Sequence, residues 1–142
     1  MQFEAEAASI RAYQPFLFPG VLQTPAIAEF LLGWFDTSLS DETRRLRYDV
    51  RMHRRKRITE DADAPTYLLI LDESALGREI GGRELMADQL EAAVELAQRP
   101  NIFICILRLR EGGTFGMLGP FTVVGLSDDD VEDAVLCRFE PR

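Results

Sequence analysis

Apolar residues in this chain recur with two different periods, and the switch between them outlines the fold. From Arg83 to Gln98 the residues Leu85, Met86, Leu90, Val94 and Ala97 keep the three-to-four spacing of a helix face. After Pro25, Ile27, Phe30, Leu31 and Trp34 do the same and predict a second buried stripe. Thr66–Leu71 and Ile102–Leu107 are instead unbroken apolar runs too short for helices, the pattern of strands inside a sheet. Strand, helix, strand over this length predicts a βαβ unit with parallel strands and a right-handed crossover. Phe121–Leu126 and Ala134–Phe139 predict two more strands, joined as a C-terminal hairpin across the acidic turn Ser127–Asp130. At the start of the chain Phe3, Ala7 and Ile10 share one helical face, which predicts a short helix over Phe3–Ala12. The fold class is α/β with an α+β character: helices packed on a small mixed sheet of about four strands.

Turn chemistry sets the boundaries. In Tyr13-Gln-Pro-Phe-Leu-Phe-Pro-Gly-Val-Leu-Gln-Thr-Pro25, three prolines lock φ and stiffen an aromatic-rich loop. Thr24 is placed to cap, and Pro25 to occupy the first position of, a helix over Pro25–Phe35. Ser40 caps the next helix, with Asp41 and Glu42 favourably placed in its first turn. Leu39, Leu46, Val50 and Ile58 mark its expected apolar side, leaving most of its arginines to point elsewhere. Ala62-Asp-Ala-Pro65 ends that helix, Asp72–Leu76 forms one helical turn, and Gly77 and Gly81-Gly82 supply breaks.

Composition narrows the class. The chain of 142 residues, 46% hydrophobic and 28% charged, reads as one domain over residues 1–142. No apolar run approaches a bilayer's thickness, and the acidic start is unlike a basic leader, which predicts a cytoplasmic protein without membrane insertion. Cys105 and Cys137 lie in strand-like surroundings and are expected to be two buried free thiols. A net charge of −8 argues against nonspecific nucleic-acid binding. Eight of the sixteen basic residues nevertheless fall between Arg44 and Arg57, an asymmetry suited to an anion or to an acidic protein partner, or to a merely solvated helix face.

Several residues carry candidate chemistry. The stiff loop presents Tyr13, Phe16, Phe18 and Gln23, either to line a ligand pocket or as a packed connector. Asp72 and Glu73 end a buried strand, where parallel sheets commonly present polar groups to ligands. Glu73 suits hydrogen bonding to a substrate, pairing with Arg51 or Arg54, or general-base work; the plainer reading has Asp72 cap the next turn and Glu73 make a structural ion pair. His53 is the single histidine and lies among arginines, so no metal site and no cofactor is expected. Gly112-Gly113, Gly116 and Gly119 precede a strand instead of opening a helix, which suits a mobile edge loop or lid carrying Phe115 and Met117, or an ordinary connection, better than a phosphate cradle.

Taken together these stretches resemble one family. Phe18-Pro-Gly-Val-Leu-Gln-Thr24 is similar to its Val-Pro-Gly-Leu-Leu-Gln-Thr signature, preceded by Glu4, Ala7, Ile10, Tyr13 and Pro15 at matching spacing. Arg51 and Arg54 match its Arg-x-x-Arg helix, Leu71-Asp-Glu-Ser-Ala-Leu76 its Leu-Asp-Glu-x-x-Leu segment, and Gly81 with Met86-x-x-Gln-Leu90 its Gly-to-helix element. Pro100-Asn-Ile102, Gly113, Gly116, Gly119 and Phe121 continue the pattern. The family is the domain of unknown function that follows a helix-turn-helix in actinobacterial Xre-type, WhiJ-like regulators.

The resemblance implies an effector- or partner-sensing domain, here expected to be freestanding, shortened and without its own DNA-binding helix-turn-helix. The leading expectation is noncatalytic binding of a small molecule or partner by Tyr13, Phe18, Gln23, Arg51, Arg54, Asp72, Glu73 and Met86. The alternative is a cofactor-independent cyclase or isomerase of specialised metabolism, with Glu73 as acid or base and Tyr13 and Arg51 stabilising developing charge. A third expectation is an interaction module whose basic helix docks on an acidic protein.

Overall fold

The computed structural model describes residues 6–35, 37–113, 119–126 and 133–136, the last group by its backbone. The elements in chain order are β1 (Ser9–Gln14), α1 (Pro25–Phe35), α2 (Asp41–Thr59), β2 (Thr66–Asp72), α3 (Arg83–Leu96), β3 (Ile102–Leu107), β4 (Phe121–Gly125) and β5 (Asp133–Leu136). One-turn helices lie at Gly20–Leu22, Glu73–Ala75 and Leu109–Glu111. Phe3, Glu4, Phe115, Met117, the acidic turn Ser127–Asp130 and Cys137 lie outside the described residues.

The strands form one mixed sheet in the order β3-β2-β1-β4-β5. β1, β2 and β3 run parallel, and β4 and β5 close it as an antiparallel hairpin beside β1. The expected βαβ unit is β2-α3-β3, and the fold is α/β as its sequence pattern indicates. Because β1, β2 and β3 step across the sheet in one direction, crossovers of the same hand put all three helices on one face. Ile10, Ala12, Tyr67, Leu69, Leu71, Ile102 and Val124 point into the core on that side. The opposite face carries Arg11, Tyr13, Leu68, Ile70, Phe103 and Cys105, in register across β1, β2 and β3.

Several expectations change; on α3 the buried residues are Met86, Gln89, Ala93 and Leu96, with Val94 63% exposed. The helix predicted over Phe3–Ala12 is replaced, in its described part, by β1 at the centre of the sheet. Ile10 and Ala12 are buried with Arg11 exposed between them, a period of two that pairing on both sides of β1 enforces over the local helical spacing. In α1 the inward residues are Ile27, Ala28, Leu31 and Leu32; Phe30 and Trp34 are 39% and 67% exposed. Ala28, wholly buried, permits close approach on that side and turns the aromatics outward, where Phe30 and Trp34 stack at 6.3 Å. Cys105 is free but exposed, because it sits on a strand that is outermost among the described residues, on the face turned away from the helices.

The caps follow the sequence. Thr24 Oγ1 accepts the Ile27 N–H at 3.3 Å, and Ser40 Oγ accepts the Thr43 N–H at 3.2 Å. Ahead of α3, Gly81 takes φ +72, and a Cβ there would lie 2.8 Å from Leu85 Cδ2 and 3.3 Å from the Phe30 ring. Gly81→Ala therefore combines left-handed strain with crowding, and denaturant unfolding should show a loss of about 1–2 kcal/mol. Among the described residues no helix is long and apolar enough to cross a membrane.

Candidate functional site

The loop between β1 and α1 is clamped from three directions. Gln23, 2% exposed, donates from Nε2 to the Phe18 carbonyl at 2.7 Å and accepts from Arg51 Nη1 at 2.9 Å. Arg55 Nε donates to the Gln23 carbonyl at 3.0 Å. From α3, Gln89, 1% exposed, donates to the Leu22 carbonyl at 3.0 Å and accepts the Thr24 N–H at 2.7 Å. Ser74 Oγ, after β2, donates to the Pro15 carbonyl at 3.1 Å. The prolines remove backbone donors, and these side chains engage carbonyls that no strand or helix ladder would reach.

α2 supplies part of this clamp with a face the apolar pattern did not identify. Leu46 and Val50 are 63% and 51% exposed, whereas Arg44, Tyr48, Arg51 and Arg55, spaced as one stripe, are half-buried. Arginine stems cover apolar surface while their heads reach polar partners, so the stripe packs as well as bonds. Gly20 eases the approach, since a Cβ there would stand 3.2 Å from Arg51 Nε and press the side chain back by a few tenths of an ångström. Arg54 is half-buried beside this stripe, and His53 is exposed.

A second group forms at the carboxyl end of the parallel strands. Tyr13 is paired with Ile70, and Asp72 is two residues further along β2, so both lie diagonally on one face of the sheet. The Tyr13 hydroxyl reaches Asp72 Oδ2 at 3.5 Å, a long contact beside the ~2.7 Å of a firm O–H···O bond. On its other side Tyr13 stacks with its β4 partner Phe121 at 5.8 Å. Asp72 Oδ1 accepts the Ser74 N–H at 2.9 Å and caps the one-turn helix. Glu73 is exposed, and its Oε2 accepts the Leu109 N–H at 2.7 Å. Phe16, 56% exposed on the clamped loop, lies under the Arg78 guanidinium at 5.6 Å.

Ser74 holds the Asp72 carboxyl below the usual range, through its hydroxyl and then its N–H, against a smaller opposing effect of burial and with help from Tyr13. The N–H is the firmer of the two Ser74 bonds, because the single hydroxyl proton is directed at Pro15. A depressed folded pKa means that Asp72 stabilises the fold above its unfolded value of about 3.9 and loses that contribution as pH falls through the lower folded value. Carboxyl NMR should show Asp72 titrating below the ordinary aspartate range, and Ser74→Ala, which keeps the N–H donor, should move it upward only in part.

The expected residues thus fall into separate sets. Gln23, Arg51 and Phe18 meet in the loop clamp; Tyr13, Asp72 and the adjacent Glu73 meet at the strand ends; Met86 is buried in the core. Gln89, Arg55, Ser74 and Phe121 also build these sets. Gln89 had a readable signal, a polar residue in phase with the buried Met86, Ala93 and Leu96. No curated protein and no solved structure matches the chain. Residues 1–139 match the family model described as Domain of unknown function (DUF5753). With nearly its whole length matched, the chain belongs to the DUF5753 family.

Proposed function

We propose that this domain is a noncatalytic recognition module of the kind that serves regulators related to the Xre type, working in the cytoplasm. It binds a small molecule or partner at the carboxyl end of the parallel strands. The observation that carries this reading is the loop clamp: buried glutamines and half-buried arginines spend their polar groups on fixing one loop beside Asp72. Such fixing lowers the ordering cost of binding and serves a recognition surface without requiring proton transfer.

Chemistry at the strand ends favours a particular kind of ligand. An aspartate with a lowered pKa is an ionised acceptor near neutral pH, suited to a cationic or hydrogen-bond-donating group. Phe121, stacked on Tyr13, and the exposed Phe16, on the loop that Ser74 ties to this strand end, offer apolar area, so an amine attached to a flat apolar body fits best. Arg51 is engaged by Gln23, which makes an anion site there the weaker reading. Thermal shift against a panel of amine-bearing, neutral and acidic metabolites tests this. Stabilisation by amine-bearing members, lost in Asp72→Asn and kept in Glu73→Gln, is the expected result. Stabilisation confined to acidic members, or turnover abolished by Glu73→Gln, would replace it.

A further inference from the structure

Among the described residues β3 is an outer strand, with β2 on one side and no strand on the other. The bond from Tyr67 N to the Asn101 carbonyl fixes which groups face outward. Alternation along a parallel ladder turns Phe103, Cys105 and Leu107 toward β2, and the N–H and C=O groups of Ile104 and Ile106 away from it. Sheets usually guard such an edge with lysine, proline or a bulge. Ile102-Phe-Ile-Cys-Ile-Leu107 has no charged residue and no proline, and its register with β2 is unbroken. Phe103 is 50% exposed and Ile106 40%, so apolar side chains flank the open edge on both faces.

Charge at the two ends says what would cover it. Arg99 is exposed just before the strand, and Arg108 and Arg110, with side chains 57% and 68% exposed, follow it. Glu111 is shared by both of the latter, at 3.7 Å and 3.5 Å, and Glu73 is occupied by the Leu109 N–H. We propose that β3 is a docking edge for an extended peptide segment with an apolar alternating centre and acidic residues at both ends, added as a further strand beside β3. A second copy of this chain fits less well: two-fold antiparallel pairing of β3 with itself sets Arg99 of one copy near Arg108 of the other, a like-charge contact. The inference rests on the sheet edge and is independent of the Asp72 site.

The test uses the full chain and a fluorescein-labelled peptide, Asp-Glu-Val-Thr-Val-Thr-Val-Thr-Asp-Glu, followed by anisotropy. Saturable binding is expected, at least tenfold weaker for a peptide with lysines at both ends and for one N-methylated at alternate amides. Amide exchange at Ile104 and Ile106 should slow when the peptide is bound. Ile106→Pro removes an outward N–H and should weaken binding at least tenfold, with the far-ultraviolet circular dichroism kept. Should that variant fail to fold, the double variant Arg99→Glu, Arg108→Glu leaves the strand intact and should reverse the preference toward the lysine-ended peptide. Equal binding of both charge types, indifference to N-methylation, or self-association through β3 with no peptide binding would overturn the proposal.

Discussion

Gln89→Leu is expected to destabilise the domain by about 3 kcal/mol although it exchanges a buried side chain for an apolar one of comparable volume. The change leaves the Leu22 carbonyl and the Thr24 N–H without their side-chain partner in a buried place, each at a cost of about 1–3 kcal/mol. In a chain of 142 residues a loss of that size lowers Tm by about 10 °C. Gln89→Glu separates bonding from packing. It keeps an acceptor for Thr24 but sets a carboxylate against the Leu22 carbonyl, so it should rescue little. A loss below about 0.5 kcal/mol for Gln89→Leu, as for a surface substitution, would mean that the α3 side of the clamp contributes nothing.

Gln23→Ala should cost a similar amount and loosen the loop as well. It removes the partner of the Phe18 carbonyl, strips a charge-assisted bond from Arg51 and opens a small cavity, together about 2–4 kcal/mol. A double-mutant cycle with Arg51→Met should give a coupling of about 1–2 kcal/mol, measured by urea unfolding. Amide exchange in the Pro15–Thr24 segment should rise before global unfolding does, since the clamp and not a strand ladder restrains that segment. Independent, additive effects of the two substitutions would show that Arg51 and Gln23 do not act as a unit.

Much of this architecture was legible because local signals agreed with the tertiary fold. Thr24-Pro25 and Ser40-Asp41-Glu42 started helices where capping chemistry places them, and the apolar runs of β2 and β3 were long enough to read as strands. β1 was hidden because Ala7 and Ile10 also satisfy a helical period, and the pairing with β2 and β4 that settles the matter is nonlocal. The face of α2 was hidden for a different reason. Hydrophobic periodicity assigns arginine to solvent, whereas Arg51 and Arg55 turn toward the loop and bond the side chain and the carbonyl of Gln23.

The candidate site divided along the same line. Asp72 and Glu73 stood out as carboxylates at a strand end, and Tyr13 as an aromatic at the mouth of a stiff loop. Their diagonal placement on one sheet face depends on the β1–β2 register, which spacing alone does not carry. Gln23 was singled out as a ligand contact, yet its side-chain nitrogen and oxygen bond to Phe18 and Arg51. Its effect on recognition is therefore through the loop it fixes, and Gln23→Ala should weaken ligand-induced stabilisation without abolishing it.

The most direct test of the recognition account is heteronuclear NMR of the domain titrated with amine-bearing aromatic metabolites. Saturable shifts concentrated at Tyr13, Phe16, Ser74 and Phe121, abolished by Asp72→Asn while the rest of the spectrum stays folded, are the predicted result. Shifts that survive Asp72→Asn, or that gather around Arg51 and Arg54 on α2, would contradict it.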